Sequence, residues 1–203
     1  MRAGFPGGEL DRKLQKLYGR VAGVDEVGRG AWAGPVTAAA VILDPRFPIA
    51  GLADSKVLSA TRRRHLAAEV RSRAAAWAVV HVSAGEVDRL NILRATRQAM
   101  ILAVLRLTPS PGCVVTDAVS LEGLSSPVIA EIGADGRYYC VAAAAILAKV
   151  ERDQLMDRLA RDFPGFGWER NRGYGVSEHR AALARLGPSA QHRKSFAPVR
   201  VLA

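Results

Sequence analysis

Apolar positions along this chain recur at two periods, and each change of period marks the edge of an element. Two short runs, 21–25 and 36–43, are mostly apolar with a Gly-rich stretch between them, and they read as adjacent strands. Asp44-Pro45 and Pro48 close the second run. Ser59 is placed to cap a helix continuing to residue 76, with Leu66, Ala67 and Val70 on one face. Residues 77–82 form a short β-rich run. From 91 to 107, Ile92, Ala95, Ala99, Leu102 and Leu105 fall at helical spacing until Pro109 and Pro111 stop the pattern. Residues 113–117 read as a buried strand ending in a carboxylate, and 128–132 as one more strand. A long helix spans 139–162 and ends before Pro164. A loop rich in Gly and aromatics, 163–175, leads to a last helix at 177–186 and a basic tail. Strands interspersed with helices predict the α/β class, with one mixed central sheet flanked by helices. The division expected is a main domain, 1–163, with a small helical and basic C-terminal extension, 164–203, packed on it.

Composition narrows the classes. With 203 residues, 49% of them hydrophobic, the chain can build one core of ordinary size. No apolar stretch reaches the roughly 18 residues of a membrane span. The N-terminus lacks a basic-then-apolar leader, so a cytoplasmic, monomeric protein with no membrane association is expected. Cys113 and Cys140 lie far apart in apolar surroundings and are expected as buried free thiols. Charge changes the picture more. Lys and Arg number 29 against 19 acidic residues, a net +10 with a pI near 10.4, and a phosphate backbone is the commonest partner of such a surface. The excess concentrates late: from Gly165 onward there are seven Lys/Arg against Glu169 and Glu178 alone.

Against that background four acids stand out. Asp25 and Glu26 close the first strand and Asp117 the fourth, so Asp25 and Asp117 share one end of a sheet if their strands are neighbours. Asp135 lies in a Gly/Asp loop, 133–136, ahead of the long helix. Successive strand residues point to opposite faces, so Asp25 and Glu26 are expected to converge through a bend that Gly28 and Gly30 make cheap. Convergent carboxylates without a His or Cys cluster suit Mg²⁺ or Mn²⁺. The four His, at 65, 81, 179 and 192, are too scattered for zinc. The Arg62-Arg63-Arg64 run reads as a solvated helix face. Trp32 and Trp168 read as packing residues. His192, Arg193 and Lys194 are expected to track a duplex backbone.

The segment Asp25-Glu-Val-Gly-Arg-Gly30, followed by Ala33-Gly-Pro-Val36, resembles the signature of bacterial ribonuclease HII. The resemblance continues through Gly51-Leu-Ala-Asp-Ser-Lys56, Asn91-Ile-Leu93, Val115-Thr-Asp117, residues 142–153, Arg172-Gly-Tyr174-Gly and the tail before Ser195-Phe196. It implies an RNase H-like fold and a nuclease that cuts RNA in RNA–DNA hybrids and nicks 5′ to single ribonucleotides in duplex DNA, leaving 3′-hydroxyl and 5′-phosphate ends by two-metal-ion hydrolysis. The implied catalytic and metal-binding residues are Asp25, Glu26, Asp117 and Asp135. The implied substrate-binding residues are Gly28, Arg29 and Gly30 at the ribose 2′-hydroxyl, Tyr174 at the junction sugar and Lys56 at a phosphate. Lys149 and Asp153 also match family positions, and Asp153 is expected to be structural. Three positions depart from the family pattern: Gly133 replaces a common Lys, Ala118 a glycine, and Ala145 a frequent Ser. A hybrid-binding protein without catalysis and a repair nuclease without a ribose requirement are the competing readings. The tail 198–203 does not by itself identify a sliding clamp as partner.

Overall fold

The computed structural model describes residues 8–52 and 58–201. In chain order the elements are α1 (Gly8–Tyr18), β1 (Val21–Val27), β2 (Val36–Ile42), α2 (Ala60–Arg73), β3 (Ala76–Val82), α3 (Ala84–Leu90), α4 (Ile92–Leu105), β4 (Cys113–Asp117), β5 (Val128–Glu131), a 3-10 turn (Ala134–Gly136), α5 (Tyr139–Asp162), α6 (Trp168–Asn171), α7 (Ser177–Leu186) and α8 (Ala197–Val201). The sheet runs β3-β2-β1-β4-β5, antiparallel from β3 to β1 and parallel across β1, β4 and β5. This is the expected mixed sheet with flanking helices.

The central strands are buried on both faces, which is why they read as continuous apolar runs rather than alternating ones. Ala22, Val24, Val36, Ala38 and Ala40 pack against α4 through Ala95, Ala99 and Ala103. Ala39 and Val41, on the opposite face, pack with α5 (Ala143, Ile146, Leu147) and with Leu66 and Val70 of α2. The small residues of α5 let it lie close to the sheet. At Gly23 a Cβ would come within 2.0 Å of the Cys140 carbonyl carbon, so β1 carries glycine where the helix backbone crosses it.

Long-range capping sets the start of α5. Asp11, buried in α1, accepts hydrogen bonds from Tyr139 N at 2.9 Å and Cys140 N at 3.0 Å, satisfying two of the orphan donors at the helix N-terminus. Burial pushes the Asp11 carboxyl pKa up against those hydrogen bonds. Cys113 and Cys140 are buried free thiols, as expected.

Segment 164–203 folds back on the rest through an isolated bridge between Ala33 and His192 and through Arg193 N to Trp32 O at 2.8 Å. Asp88 of α3 secures the tail, accepting from Lys194 N and Ser195 N, both at 2.9 Å. This packing corrects the reading of the tail as a backbone-tracking arm. His192 and Arg193 are 1% and 0% exposed, and only Lys194 of the three faces solvent. Trp168 is fully buried against Phe166, and Trp32 is 8% exposed, so both pack as the sequence indicates. Among the described residues, no helix is long and apolar enough to cross a membrane.

Ala118 is a local cost. The chain leaves β4 through this residue at φ 57°, a conformation that an L-residue with a Cβ adopts at a penalty of about 1–2 kcal/mol. Ala118→Gly should therefore stabilise the protein by roughly 0.5–1 kcal/mol once the greater freedom of glycine in the unfolded chain is counted. Urea midpoints at constant m-value check this; an unchanged or lower midpoint would remove the claim of strain.

Candidate active site

β1 and β4 are parallel neighbours, in register from Val21 opposite Cys113 to Val24 opposite Thr116. Their ends therefore bring Asp25 and Asp117 to one edge. The expected bend between Asp25 and Glu26 is absent: β1 stays paired with β2 through Val27, with Asp25 opposite Ala39 and Glu26 opposite Ala38. The two carboxylates still reach one recess because the β1–β4 ladder stops at Val24, leaving the β1 edge bare beyond it. Gly28, at φ 89°, turns the chain only after the acids have passed. A bent strand would have broken its ladder with β2; a shortened neighbour achieves the same convergence without that loss.

The recess has a volume of about 450 Å³ and is lined by Asp25, Glu26, Val27, Arg63, Asp117, Ala145, Lys149 and Tyr174. Asp25 Oδ1 accepts from Glu26 N at 2.8 Å. Glu26 Oε1 accepts from Arg29 at 3.1 Å, whereas its Oε2 is buried with no partner among the described residues. Asp117 Oδ1 accepts from Gly133 N at 2.7 Å and Ala134 N at 3.3 Å, so it also holds the loop that carries Asp135. Gly133 takes φ 73° there, in the left-handed region where glycine is unstrained. Asp135 itself is buried in the 3-10 turn and is not among the lining side chains, although its charge is felt at Asp25.

Burial raises the Asp25 carboxyl well above the ordinary range, and the charges of Glu26, Asp117 and Asp135 push it further. Glu26 is raised too, mainly by burial and against the pull of Arg29. Among the described residues, no three His, Cys, Asp or Glu side chains form a ready-made metal cage.

Two further elements close the recess. Tyr174 comes from the loop after α6, and a Cβ at Gly30 would stand 4.0 Å from its ring, in ordinary contact. The two glycines of the Gly-Arg-Gly turn therefore differ. Gly28 is needed by the fold, since a Cβ there would meet Arg152 Nε at 2.1 Å, whereas at Gly30 a Cβ would fit against the Tyr174 ring without a clash. Gly173 and Gly175 bring their loop against Ala33 O and the Trp32 ring, where a Cβ would approach within 2.4 and 2.1 Å. Ala145 lies in the recess wall.

Several residues were missed or misread. Arg63 lines the recess rather than belonging wholly to a solvated face. Lys149 also lines it, bonded to Asp153 at 2.7 Å, while Arg172 bonds the Asp153 carbonyl and Asp157. The burial of Arg152 and Arg193 carried no sequence signal. Lys56 lies outside the described residues.

A sequence profile of the ribonuclease HII family matches residues 22–199. Ribonuclease HII of Moorella thermoacetica is 50% identical over 187 residues, covering 92% of this chain and 91% of that protein. Its counterpart from Paracoccus denitrificans is 53% identical over 180 residues, covering 88% and 85%. Among solved structures, ribonuclease H2 of Pyrococcus horikoshii superposes with a TM-score of 0.77 at 25% identity, covering 90% of this chain and 96% of that one. The ribonuclease HII of Archaeoglobus fulgidus, solved as a complex with PCNA, gives 0.75 at 29% identity, covering 90% and 96%.

Proposed function

Because the chain belongs to the ribonuclease HII family and is a ribonuclease H acting on RNA–DNA hybrids, we propose that it also nicks 5′ to single ribonucleotides embedded in duplex DNA, leaving a 3′-hydroxyl and a 5′-phosphate. The observation that carries this reading is the joining of three carboxylates to Tyr174 in one recess, with Gly30 of the Gly-Arg-Gly turn beside the Tyr174 ring.

The donor set fits a hard divalent ion. All the candidate ligands are carboxylate oxygens, one of them, Glu26 Oε2, is buried without a partner among the described residues, and the raised Asp25 and Glu26 carboxyls are relieved by a positive charge. The lack of a complete protein cage is in keeping with ions that retain waters and take phosphate oxygens as further ligands. Asp25, Glu26 and Asp117 are the residues to hold Mg²⁺ or Mn²⁺, with Asp135 adding charge from behind. Bound ions of this type, acting as a pair, supply Lewis acidity for in-line attack of water on phosphorus and for the leaving 3′-oxygen.

The remaining residues bind and orient. Gly30 exposes main-chain groups that a 2′-hydroxyl, both donor and acceptor, can engage, which separates ribose from deoxyribose. Tyr174 offers a flat apolar ring to the adjoining sugar. Arg63 and Lys149 set positive charge beside the carboxylates, where a phosphate backbone must come close.

Nicking of a duplex containing one ribonucleotide, set against an all-DNA duplex, with Mg²⁺ and Mn²⁺ in separate reactions, tests the proposal. Binding without cleavage, or equal cleavage of both duplexes, would overturn it. Tyr174→Ala should slow single-ribonucleotide cleavage roughly tenfold or more, the loss expected for one stacking contact. An unchanged kcat/KM on that substrate removes Tyr174 from the site.

A further inference from the structure

The Gly-Arg-Gly turn and Tyr174 come from segments more than 140 positions apart in the chain, and a buried side chain connects them. Arg152, on α5, is 0% exposed. It donates from Nε to Pro35 O at 2.9 Å, from Nη2 to Ala33 O at 3.2 Å and from Nη1 to Arg172 O at 2.9 Å. Its guanidinium lies 5.6 Å from the centre of the Tyr174 ring, and Gly28 packs directly on Nε. One planar group thus touches both ends of the 28–35 turn and both the base and the ring of the Tyr174 loop.

Arg193 braces the same turn from the C-terminal side. It is also 0% exposed and donates to Arg29 O at 2.8 Å and Gly34 O at 3.0 Å. Its Nη2 is buried without a partner among the described residues, and burial together with the Arg152 charge lowers its pKa to about 9. Burying two guanidinium groups against main-chain carbonyls is a poor way to gain stability, since apolar residues of similar volume do as well or better. What the fork geometry does supply is a fixed relation among several carbonyls at once.

We propose that Arg152, braced by Arg193, is a positioning residue for sugar discrimination: it holds the 28–35 turn and Tyr174 in one fixed relation, so that a 2′-hydroxyl and the neighbouring deoxyribose are read together. The inference rests on the assignment of those two elements as sugar readers. Loosening the strut leaves the carboxylates of β1 and β4 where they are, because their positions come from the sheet. The loss therefore falls on a substrate that must satisfy both readers in a single register. A uniform hybrid, which offers a ribose at every position of its RNA strand, suffers less.

The test compares wild type with Arg152→Met, which keeps the bulk, and Arg152→Lys, which keeps the charge but not the fork. Two readouts are taken. Hydrogen exchange should show segments 28–35 and 172–176 losing protection together in both variants. The ratio of kcat/KM on a single-ribonucleotide duplex to that on a uniform hybrid should fall ten- to hundredfold, the scale of loss for a misplacement of about 1 Å. In a Tyr174→Ala background, Arg152→Met should lower that ratio little further, since the two act through one contact. Protection unchanged in both segments, or a ratio held at the wild-type value while melting temperatures fall, would overturn the proposal and leave Arg152 as a packing residue. Coupled loss of protection in a protein whose wild type shows no ribonucleotide preference would support the strut and overturn only the sugar reading.

Discussion

Asp25→Asn is expected to lower kcat on RNA–DNA hybrids by about 10³-fold or more while leaving duplex binding intact and raising the melting temperature measured in EDTA. The two effects share one cause. The Asp25 carboxyl is enclosed at the end of β1, with Glu26, Asp117 and Asp135 adding negative charge around it. Its raised pKa means that the native state favours the protonated form. In the unfolded chain the group ionises near pH 3.8. Below that pH there is no penalty, and as pH rises toward the native value the folded state loses stability relative to the unfolded one. At neutral pH the wild type carries that cost whenever no cation is bound. Asparagine is neutral at every pH, and its carbonyl can still accept from Glu26 N, a bond of 2.8 Å in the wild type.

The same variant separates a metal site from a purely structural acid cluster. In wild type, Mg²⁺ or Mn²⁺ should raise the melting temperature, because an ion that binds only the folded state stabilises it by about 2.7 kcal/mol at a hundredfold excess over its Kd. Asp25→Asn should remove most of that rise. An equal shift in both proteins, or cleavage retained in the variant, would show that the ion sits elsewhere.

Acid should weaken the C-terminal extension by on the order of 3 kcal/mol between pH 6.5 and 4, through a buried histidine pair. Trp168 Nε1, which can only donate, lies 3.1 Å from His179 Nε2, so that nitrogen carries no proton. The His179 proton is on Nδ1 and donates to Tyr174 O at 3.0 Å. His192 then donates from Nε2 to His179 Nε2 at 3.1 Å and accepts at Nδ1 from Ser189 N at 2.9 Å. Every position is taken in the neutral form, and a second proton on either ring faces a donor.

Burial, with the nearby His179, accordingly lowers the His192 pKa from 6.5 to about 4, and His179 is lowered by burial as well. A depressed histidine pKa contributes stability that is complete above pH 6.5 and is lost as pH falls toward 4, because the unfolded chain takes up a proton that the native state refuses. At about 1.4 kcal/mol per unit, the His192 shift gives the stated figure. Urea unfolding of wild type and His192→Gln compared at a series of pH values checks it, since the raised Asp25 and Glu26 carboxyls act on both proteins alike and in the opposite direction. His192→Gln should lower stability at pH 7 and flatten its decline below pH 6.5; a decline as steep as that of wild type would place the acid sensitivity in other groups.

Much of the fold was legible because it is written in local patterns. The apolar runs of β1, β2 and β4 reflect strands covered on both faces, and the long helix read over 139–162 coincides with α5 from end to end. Ser59 does cap α2, accepting from Arg62 N. One local signal was overlooked: Ser83 and Glu86 form a capping box, and it opens the unforeseen helix α3. Asp25 and Asp117 could be placed together from sequence alone, because two apolar runs that each end in a carboxylate form a one-dimensional pattern whose meaning needs only that the strands be neighbours.

What depended on distant partners could not be read in that way. A charged side chain is identical in sequence whether it meets water or a ring of carbonyls. Arg193 finds the carbonyl of Arg29 across 164 positions, and Arg152 that of Pro35 across 117. Asp11 caps a helix 128 residues away, and His192 is held by the extension folding back on Ala33. Composition and motif determined the class of chemistry and pointed to the acids proposed to serve it, since those follow from residue type and spacing. Tertiary structure decided which arginines are solvated and which are buried, how a straight strand delivers two adjacent acids to one recess, and which glycine of the turn is exposed. Each of these is settled by what stands opposite a side chain, and only the folded chain supplies that.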